Sequence, residues 1–363
     1  MAKIKFKPEE FKVKEILKEN FKSQGKYKVC SVWKKGLETE EALRFLAKKS
    51  KIPVNAINYA GLKDKNALTV QHISISSKYK IQPLENKNLK IQFIGFIDKP
   101  LHSKSILENR FEIVIRENLS DRDRINTLIR IGIPNYYGEQ RFISLRNGIP
   151  FIKYLAENRI EDAVKLLFTP VGWENSRSRK GKKAFLNGNF HEALKLLTGW
   201  RRELTLYLLK NKNSSLREIF PLIPEKEIQF QANVFQSLLF NIALAKTIEE
   251  KTSQLLQFKY RGGIMLFPIE KIEIEEFVSI FHPEIKNPLY EKILKEIQLD
   301  RKSFSKLSKY FHKFNRKTFI TLKTIKVTEE KEKTIVKFSL PPGSYATNTI
   351  RFLFDSIKYR KLS

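Results

Sequence analysis

Apolar residues return at every second position near both ends of this chain, and through its middle they repeat at helical spacing instead. Strands have to find partners, so that distribution points to one sheet interrupted by a helical insertion, an α+β arrangement, and not to two like domains in tandem. LTVQHISIS, LKIQFIGFI (apolar at Leu89, Ile91 and Phe93) and RFEIVIRE (Phe111, Ile113 and Ile115) each read as a half-buried strand. Thr39 reads as an N-cap ahead of Glu40 and Glu41, and Ala42, Leu43, Leu46 and Ala47 follow at helical spacing until Pro53. Ser120 with Asp123 is a capping box opening a second helix, which explains Asp121 and Asp123 better than a metal site does. From about 150 to 310 the texture is helical, as in FIKYLAENRIEDAVKLLF and EIQFQANVFQSLLFNIALAKTIEE. Alternation then returns in KTIVKFSL, PPG breaks it, and Ser344 can cap a last helix. The expected organisation is a discontinuous domain, 1–149 with 311–363, around an insertion at 150–310, with no internal repeat.

Charge and cysteine usage narrow the function. Sixty-nine Lys and Arg face 39 Asp and Glu, a formal net charge of +30. That suits RNA, DNA or an acidic membrane surface, and a Lys-rich background composition gives the same balance. Cys30 is the one cysteine, which excludes an internal disulfide framework and any multi-cysteine metal site. The N-terminus lacks the apolar run of a signal peptide, and no stretch approaches the ~20 apolar residues of a spanning helix, so a cytoplasmic protein without a membrane partner is expected. P-loop, dinucleotide-binding, zincin and nucleophile-elbow motifs are all missing from the sequence. His72, His102, His191, His282 and His312 never fall at ligand spacing with one another, and no metal is expected.

One segment stands apart. In NYAGLKDKNALTVQ, from Asn58 to Gln71, a single carboxylate, Asp64, sits between Lys63 and Lys65 in a Gly-started loop joining two strands. By residue type alone this is a turn aspartate between solvated lysines. The same arrangement also suits a nucleophilic carboxylate, which neighbouring cations keep ionised.

GLKDKNALTVQ resembles the catalytic-aspartate motif of the TruD family of tRNA pseudouridine synthases, and further segments match that family in the same order. Pro8–Phe11 (PEEF) is similar to its P-E-D-F signature, with Lys5 at the family's basic position. ENRFEIVIRE is similar to its N-x-F strand, IPNYYGEQRF (Ile133–Phe142) to its P-N-Y-F-G-x-Q-R-F block, and LPPGSYATNTIR (Leu340–Arg351) to its L-P-A-G-S-[FY]-A-T segment. Glu10 and Pro342 depart from the pattern, and the middle of the chain matches loosely. The resemblance implies a pseudouridine synthase fold with a mixed, mainly antiparallel sheet, and isomerisation of uridine 13 in tRNA. It implies that Asp64 is the catalytic aspartate, that Phe111 stacks on the target uracil, and that Tyr345 is the second aromatic of the pocket. Asn109 is then a support of the catalytic loop and Lys5 the cation near the carboxylate. Asn135, Gln140 and Arg141 take supporting roles, facing the site or the RNA.

The implied chemistry breaks the N1 to C1′ bond and joins C5 to C1′, with no oxidation, phosphoryl transfer or net proton change, so no cofactor is expected. Phe has no group that can take up a proton, so the base at C5 is another group or water. RSRKGKK carries Arg177, Arg179, Lys180, Lys182 and Lys183 and reads as a loop that follows phosphates, with a solvated loop as the alternative. Arg301–Lys317 reads as a helix with Lys302, Lys306, Lys309 and Lys313 on one face and its aromatic residues in the core. The expected partner is tRNA, with no obligate protein partner. Two rivals stay open at this point: a non-catalytic RNA-binding protein, and an RNA methyltransferase, against which the missing Gly-rich cofactor loop argues.

Overall fold

The alternating segments form strands. FKVKEIL is β1 (Phe11–Leu17) and YKVCSVWKK is β2 (Tyr27–Lys35); α1 (Thr39–Ser50) follows. The remaining strands of the main sheet are β3 (Ile57–Tyr59), β4 (Leu68–Ser76), β5 (Leu84–Asn86), β6 (Leu89–Ile97), β7 (Ile106–Ile115), β8 (Ile325–Glu330) and β9 (Lys333–Leu340). Among the described residues the order is β8-β9-β7-β1-β4-β2-β6-β5, with β3 also on β4. The β1–β4 pair is parallel and the other pairs are antiparallel, so the sheet is mixed and mainly antiparallel, in an α+β fold. β8 and β9 come from the far end of the sequence and close onto β7, as an interrupted sheet requires.

This structure is a computed structural model describing residues 2–4, 7–146, 148–172, 174–322, 324–354 and 357–359. Its described residues fall into two compact units: those of 2–135, 269–271 and 319–359 in the first, those of 136–268 and 272–318 in the second. The second unit therefore starts at Tyr136 and runs to Thr318, where limits of 150 and 310 were expected. Local bonding sets the division. Ile133 and Pro134 pair with Phe319 and Ile320 in the first unit. Tyr136 donates its hydroxyl to Leu266 O at 2.9 Å, and Tyr137 N–H donates to Asn241 Oδ1 at 2.8 Å, both within the second. Gly132, at φ +77°, makes the turn into that pair; a Cβ there would lie 2.5 Å from Ile320 O.

In the first unit, α1 packs Ala42, Leu43, Leu46 and Ala47 onto Cys30, Val32, Ile73, Ile75, Leu89 and Ile91 of the sheet. Each fully buried Leu or Ile contributes roughly 1.5 to 3 kcal/mol of transfer free energy. Cys30 is fully buried in this cluster, and burial pushes its thiol up to about 12. The helix starts with Glu40 and Glu41 in its first turn, carries Lys48 and Lys49 in its last, and stops at Lys51, which is left-handed at φ 54°. Thr39 is not its cap. Glu38 holds the cap position, and the Thr39 hydroxyl is engaged elsewhere, as described below.

The second unit is mainly helical, with the long helix Glu225–Glu249 buried on most of its faces, among them Phe235, Leu239, Phe240 and Ala243. Phe235, Phe281, Phe304 and Phe311 meet in stacked and edge-on contacts with centroids 5.2 to 6.5 Å apart. Phe304 and Phe311 are core residues, as expected of that aromatic stripe, but Tyr310 is half-buried and Phe314 is exposed. The segment around them departs from expectation: Arg301–Tyr310 is a 3-10 helix, and Asn315–Lys317 is a strand paired with Phe277–Ser279. Lys302, Lys306, Lys309 and Lys313 therefore do not share one α-helical face. A hairpin, Leu255–Tyr260 with Gly263–Pro268, also lies inside the block read as helical. Among the described residues no helix is long and apolar enough to cross a membrane.

Candidate active site

β3 ends at Tyr59 and β4 begins at Leu68, so Gly61–Asn66 is a loop between two strands of one sheet. Its setting comes from a handover along one edge of β4. β1 pairs there with Leu68, Thr69 and Val70 only, and β3 takes the same edge from Ile73 to Ile75. In the interval the Glu15 side chain replaces a strand: its Oε1 accepts His72 N–H at 3.1 Å and lies 3.3 Å from His72 Nδ1. Its Oε2 accepts Lys63 Nζ at 2.6 Å. Glu15 is fully buried. Burial alone would raise its carboxyl, but the hydrogen bond with His72 and the charge and hydrogen bond of Lys63 outweigh it and hold the group below its ordinary value.

The loop backbone is fixed from below as well. Lys34, 0% exposed, donates to Leu37 O at 2.8 Å, Lys63 O at 3.1 Å and Asp64 O at 2.9 Å. Burial pushes Lys34 down to about 8, against the opposing charges of Glu38 and Asp64. The Thr39 hydroxyl accepts Lys63 N–H at 3.1 Å and donates to Gln71 Oε1 at 2.9 Å, while Gln71 Nε2 reaches Gly61 O at 3.5 Å. Asp64 itself is exposed.

Residues opposite one another in a sheet share a face. Lys34 lies opposite Thr69, Thr69 opposite Val13, and Val13 opposite Phe111, so these belong to the face that α1 covers. Phe111 is half-buried, stacked on Phe338 at 5.4 Å and edge-on to Phe11 at 6.3 Å. Asn109, two residues away on the same face, lies opposite Glu15 and Leu340. Its Oδ1 and the Thr69 Oγ1 are buried with no hydrogen-bond partner among the described residues. The opposite face carries Lys12 and Lys337 paired to Glu112. A groove of about 790 Å³ is lined chiefly from that side, by residues such as Lys12, Lys14 and Arg110, and no residue of the Gly61–Asn66 loop lines it.

The other sequence-predicted residues lie on other segments of the chain. Tyr345 is half-buried, just ahead of the last helix, Ala346–Phe354. Asn135 is buried and closes the first segment of the first unit. Gln140 is exposed and Arg141 half-buried in the second unit, where Arg141 Nε donates to Ser237 Oγ at 3.1 Å. Lys5 lies outside the described residues. RSRKGKK is not a loop. It opens the helix Ser176–Leu186, capped by Asn175, whose Oδ1 accepts Ser178 N–H at 2.7 Å. Arg177, Arg179, Lys180 and Lys183 are exposed on it. Lys182 is buried, 2% exposed, and paired with Glu174, so it is withdrawn from the candidate phosphate contacts.

Sequence reasoning missed Glu15, Lys34 and Gln71, and gave Thr39 another role. A signal for them existed: each is a polar residue in the apolar phase of its strand or helix, Glu15 after Phe11 and Val13, Lys34 after Cys30 and Val32, Gln71 before Ile73 and Ile75.

A sequence model of the family described as tRNA pseudouridine synthase D (TruD) matches residues 1–276. A protein of Aquifex aeolicus named tRNA pseudouridine synthase D is 32% identical, with 98% of this chain and 98% of that protein covered. One of Methanococcus maripaludis, named probable tRNA pseudouridine synthase D 1, is 29% identical over 97% of this chain and 99% of its own length. A crystal structure from Methanosarcina mazei, titled putative tRNA pseudouridine synthase D, superposes with a TM-score of 0.68 at 22% identity, covering 98% of this chain and 93% of that one, and shows the same fold. The chain belongs to the TruD family of tRNA pseudouridine synthases, which are isomerases.

Proposed function

We propose that this protein converts uridine 13 of tRNA to pseudouridine with Asp64 as its catalytic carboxylate and without a cofactor. The observation that carries the reading is the asymmetry of the Asp64 loop: buried polar groups hold its backbone, and the carboxylate stands at the surface. A group that must meet a flipped nucleotide has to be both accessible and fixed in direction. Asp64 either attacks the nucleotide or takes a proton from the sugar while N1 is detached from C1′. C5 then bonds to C1′, loses its proton, and N1 gains one, so atoms and electrons balance without a redox or phosphoryl partner.

Phe111 supplies the stacking face for the uracil, with Tyr345 as the second aromatic. Phe338 backs one side of the Phe111 ring, which limits its reorientation. The buried Oδ1 of Asn109, which has no hydrogen-bond partner among the described residues, suits a polar ligand arriving on this face. The exposed cations of the helix Ser176–Leu186 are the proposed phosphate contacts.

The test uses unmodified tRNA tritiated at uracil C5 and purified protein with no cofactor added. Tritium release is expected, with the modified residue mapped to position 13. In Asp64→Asn, release should fall at least about a thousandfold while melting temperature holds, because the side chain is exposed. Turnover of Asp64→Asn above a few per cent of wild type, roughly 2 kcal/mol of barrier, defeats the assignment. Binding of tRNA without any release would favour the non-catalytic rival.

A further inference from the structure

We propose that Lys34 is a positioning residue for the Asp64 loop, its ammonium drawing the carbonyls of Leu37, Lys63 and Asp64 onto one point, with the Thr39 hydroxyl as the second anchor. The proposal rests on the reading of Asp64 as the catalytic carboxylate. An ammonium has three N–H donors and no acceptor, and Lys34 has three carbonyls, at 2.8, 3.1 and 2.9 Å. Donors and acceptors therefore match in full.

A sheet core needs no buried lysine. At that place in β2, in phase with Cys30 and Val32, Leu or Met would pack as well and avoid the desolvation of a charge. What a lysine adds is its contact set. In an extended strand successive carbonyls point opposite ways; those of Lys63 and Asp64 both turn to one nitrogen, which bends the chain at Asp64 and leaves its side chain outside. Thr39 holds the other side of the same peptide pair through Lys63 N–H. Leu37 ties the clamp to the entry of α1, which is packed onto the sheet and cannot drift. An adaptable surface loop is thereby converted into a fixed one.

The experiment measures the single-turnover rate at saturating tRNA, tRNA affinity and melting temperature. Lys34→Met removes the donors and keeps the length. Its rate is expected to fall about a hundredfold, with tRNA affinity within about threefold of wild type, a loss confined to the chemical step. A folded Lys34→Met with a rate within about threefold of wild type overturns the proposal. If Lys34→Met does not fold, Thr39→Val decides: a rate loss of about tenfold, restored in Thr39→Ser, supports the clamp, and a wild-type rate in Thr39→Val rejects it. Asp64→Asn, run alongside, separates two failures. An inactive Asp64→Asn beside an active Lys34→Met removes only the clamp; an active Asp64→Asn removes the reading beneath it.

Discussion

The Phe235, Phe281, Phe304 and Phe311 cluster of the helical unit and the Glu15, Lys34, Thr39 and Gln71 cluster of the sheet unit are both buried, and they use burial for opposite ends. The rings gain from leaving water wherever they pack, so their contacts are many and loosely directional. The polar groups lose hydration, which only well-made hydrogen bonds offset, so their geometry is narrowly set. All four direct bonds to the loop that bears Asp64 or to its immediate supports. Apolar burial holds a unit together, while polar burial here fixes one segment in space.

The contrast can be broken by removing one member from each side. Phe304→Ala should cost about 3 to 5 kcal/mol of stability, read as a shift of the denaturant midpoint. Lys63→Met leaves the fully buried Glu15 without its cation and should cost a similar amount, about 3 to 5 kcal/mol. Their catalysis should differ: the folded fraction of Phe304→Ala turns over like wild type, and Lys63→Met does not. Equal rates in the two would erase the distinction.

Phe111 sharpens the comparison because it belongs to both kinds of region. Phe111→Leu keeps most of its packing on Phe338 and Phe11, at about 1 kcal/mol of stability. It gives up stacking worth roughly 1 to 3 kcal/mol, so turnover should fall about tenfold or more. A Phe111→Leu protein that melts far lower yet works normally would make it a core residue only.

A smaller effect is expected with pH. Lys34 is lowered by burial from 10.5 to about 8, with Glu38 and Asp64 opposing that shift and Lys63 adding to it. Between those two values the unfolded chain binds more protons at this position than the folded one, so Lys34 makes stability rise with pH across that window. Loss of the proton in the folded enzyme leaves two N–H donors for three carbonyls, so turnover should fall as pH passes through about 8. Melting curves of wild type and Lys34→Met from pH 7 to about 10.5 test the sign, since the rise should be missing in the variant. The mildest prediction concerns Arg177, Arg179, Lys180 and Lys183. Changing all four to Gln should flatten log affinity against log salt by about 0.7 to 0.9 for each phosphate no longer neutralised, at nearly constant melting temperature. An unchanged slope would return this helix to ordinary solvated surface.

Much of the first unit was legible because period-two alternation is a strong local signal, as in LKIQFIGFI and KTIVKFSL. The Asp64 segment was visible as a motif, but its anchors were not, since Glu15, Lys34 and Gln71 lie outside it or at its far end and reach the loop only through strand pairing. The helix Ser176–Leu186 was hidden by its charge. Gly181, Ala184 and Phe185 form a buried stripe among the cations, and a Cβ on Gly181 would sit 2.9 Å from Leu196 Cβ. Glycine there serves helix approach, where composition suggested flexibility. The Leu255–Pro268 hairpin went unread although Arg261, Gly262 and Gly263 mark its turn.

The handover along the edge of β4 also bears on the order in which this molecule acquires its parts. Glu15 meets Lys63 across 48 positions of sequence and His72 across 57, and Lys34 reaches Asp64 across 30. Contacts that distant form only after the intervening chain has been closed, so they arrive late in folding. A refolding chain should regain its helical signal before these contacts form, and tritium release no earlier than the β1–β4 pairing that brings Glu15 to Lys63. Recovery of activity is thus timed by strand pairing and not by the loop that carries the carboxylate.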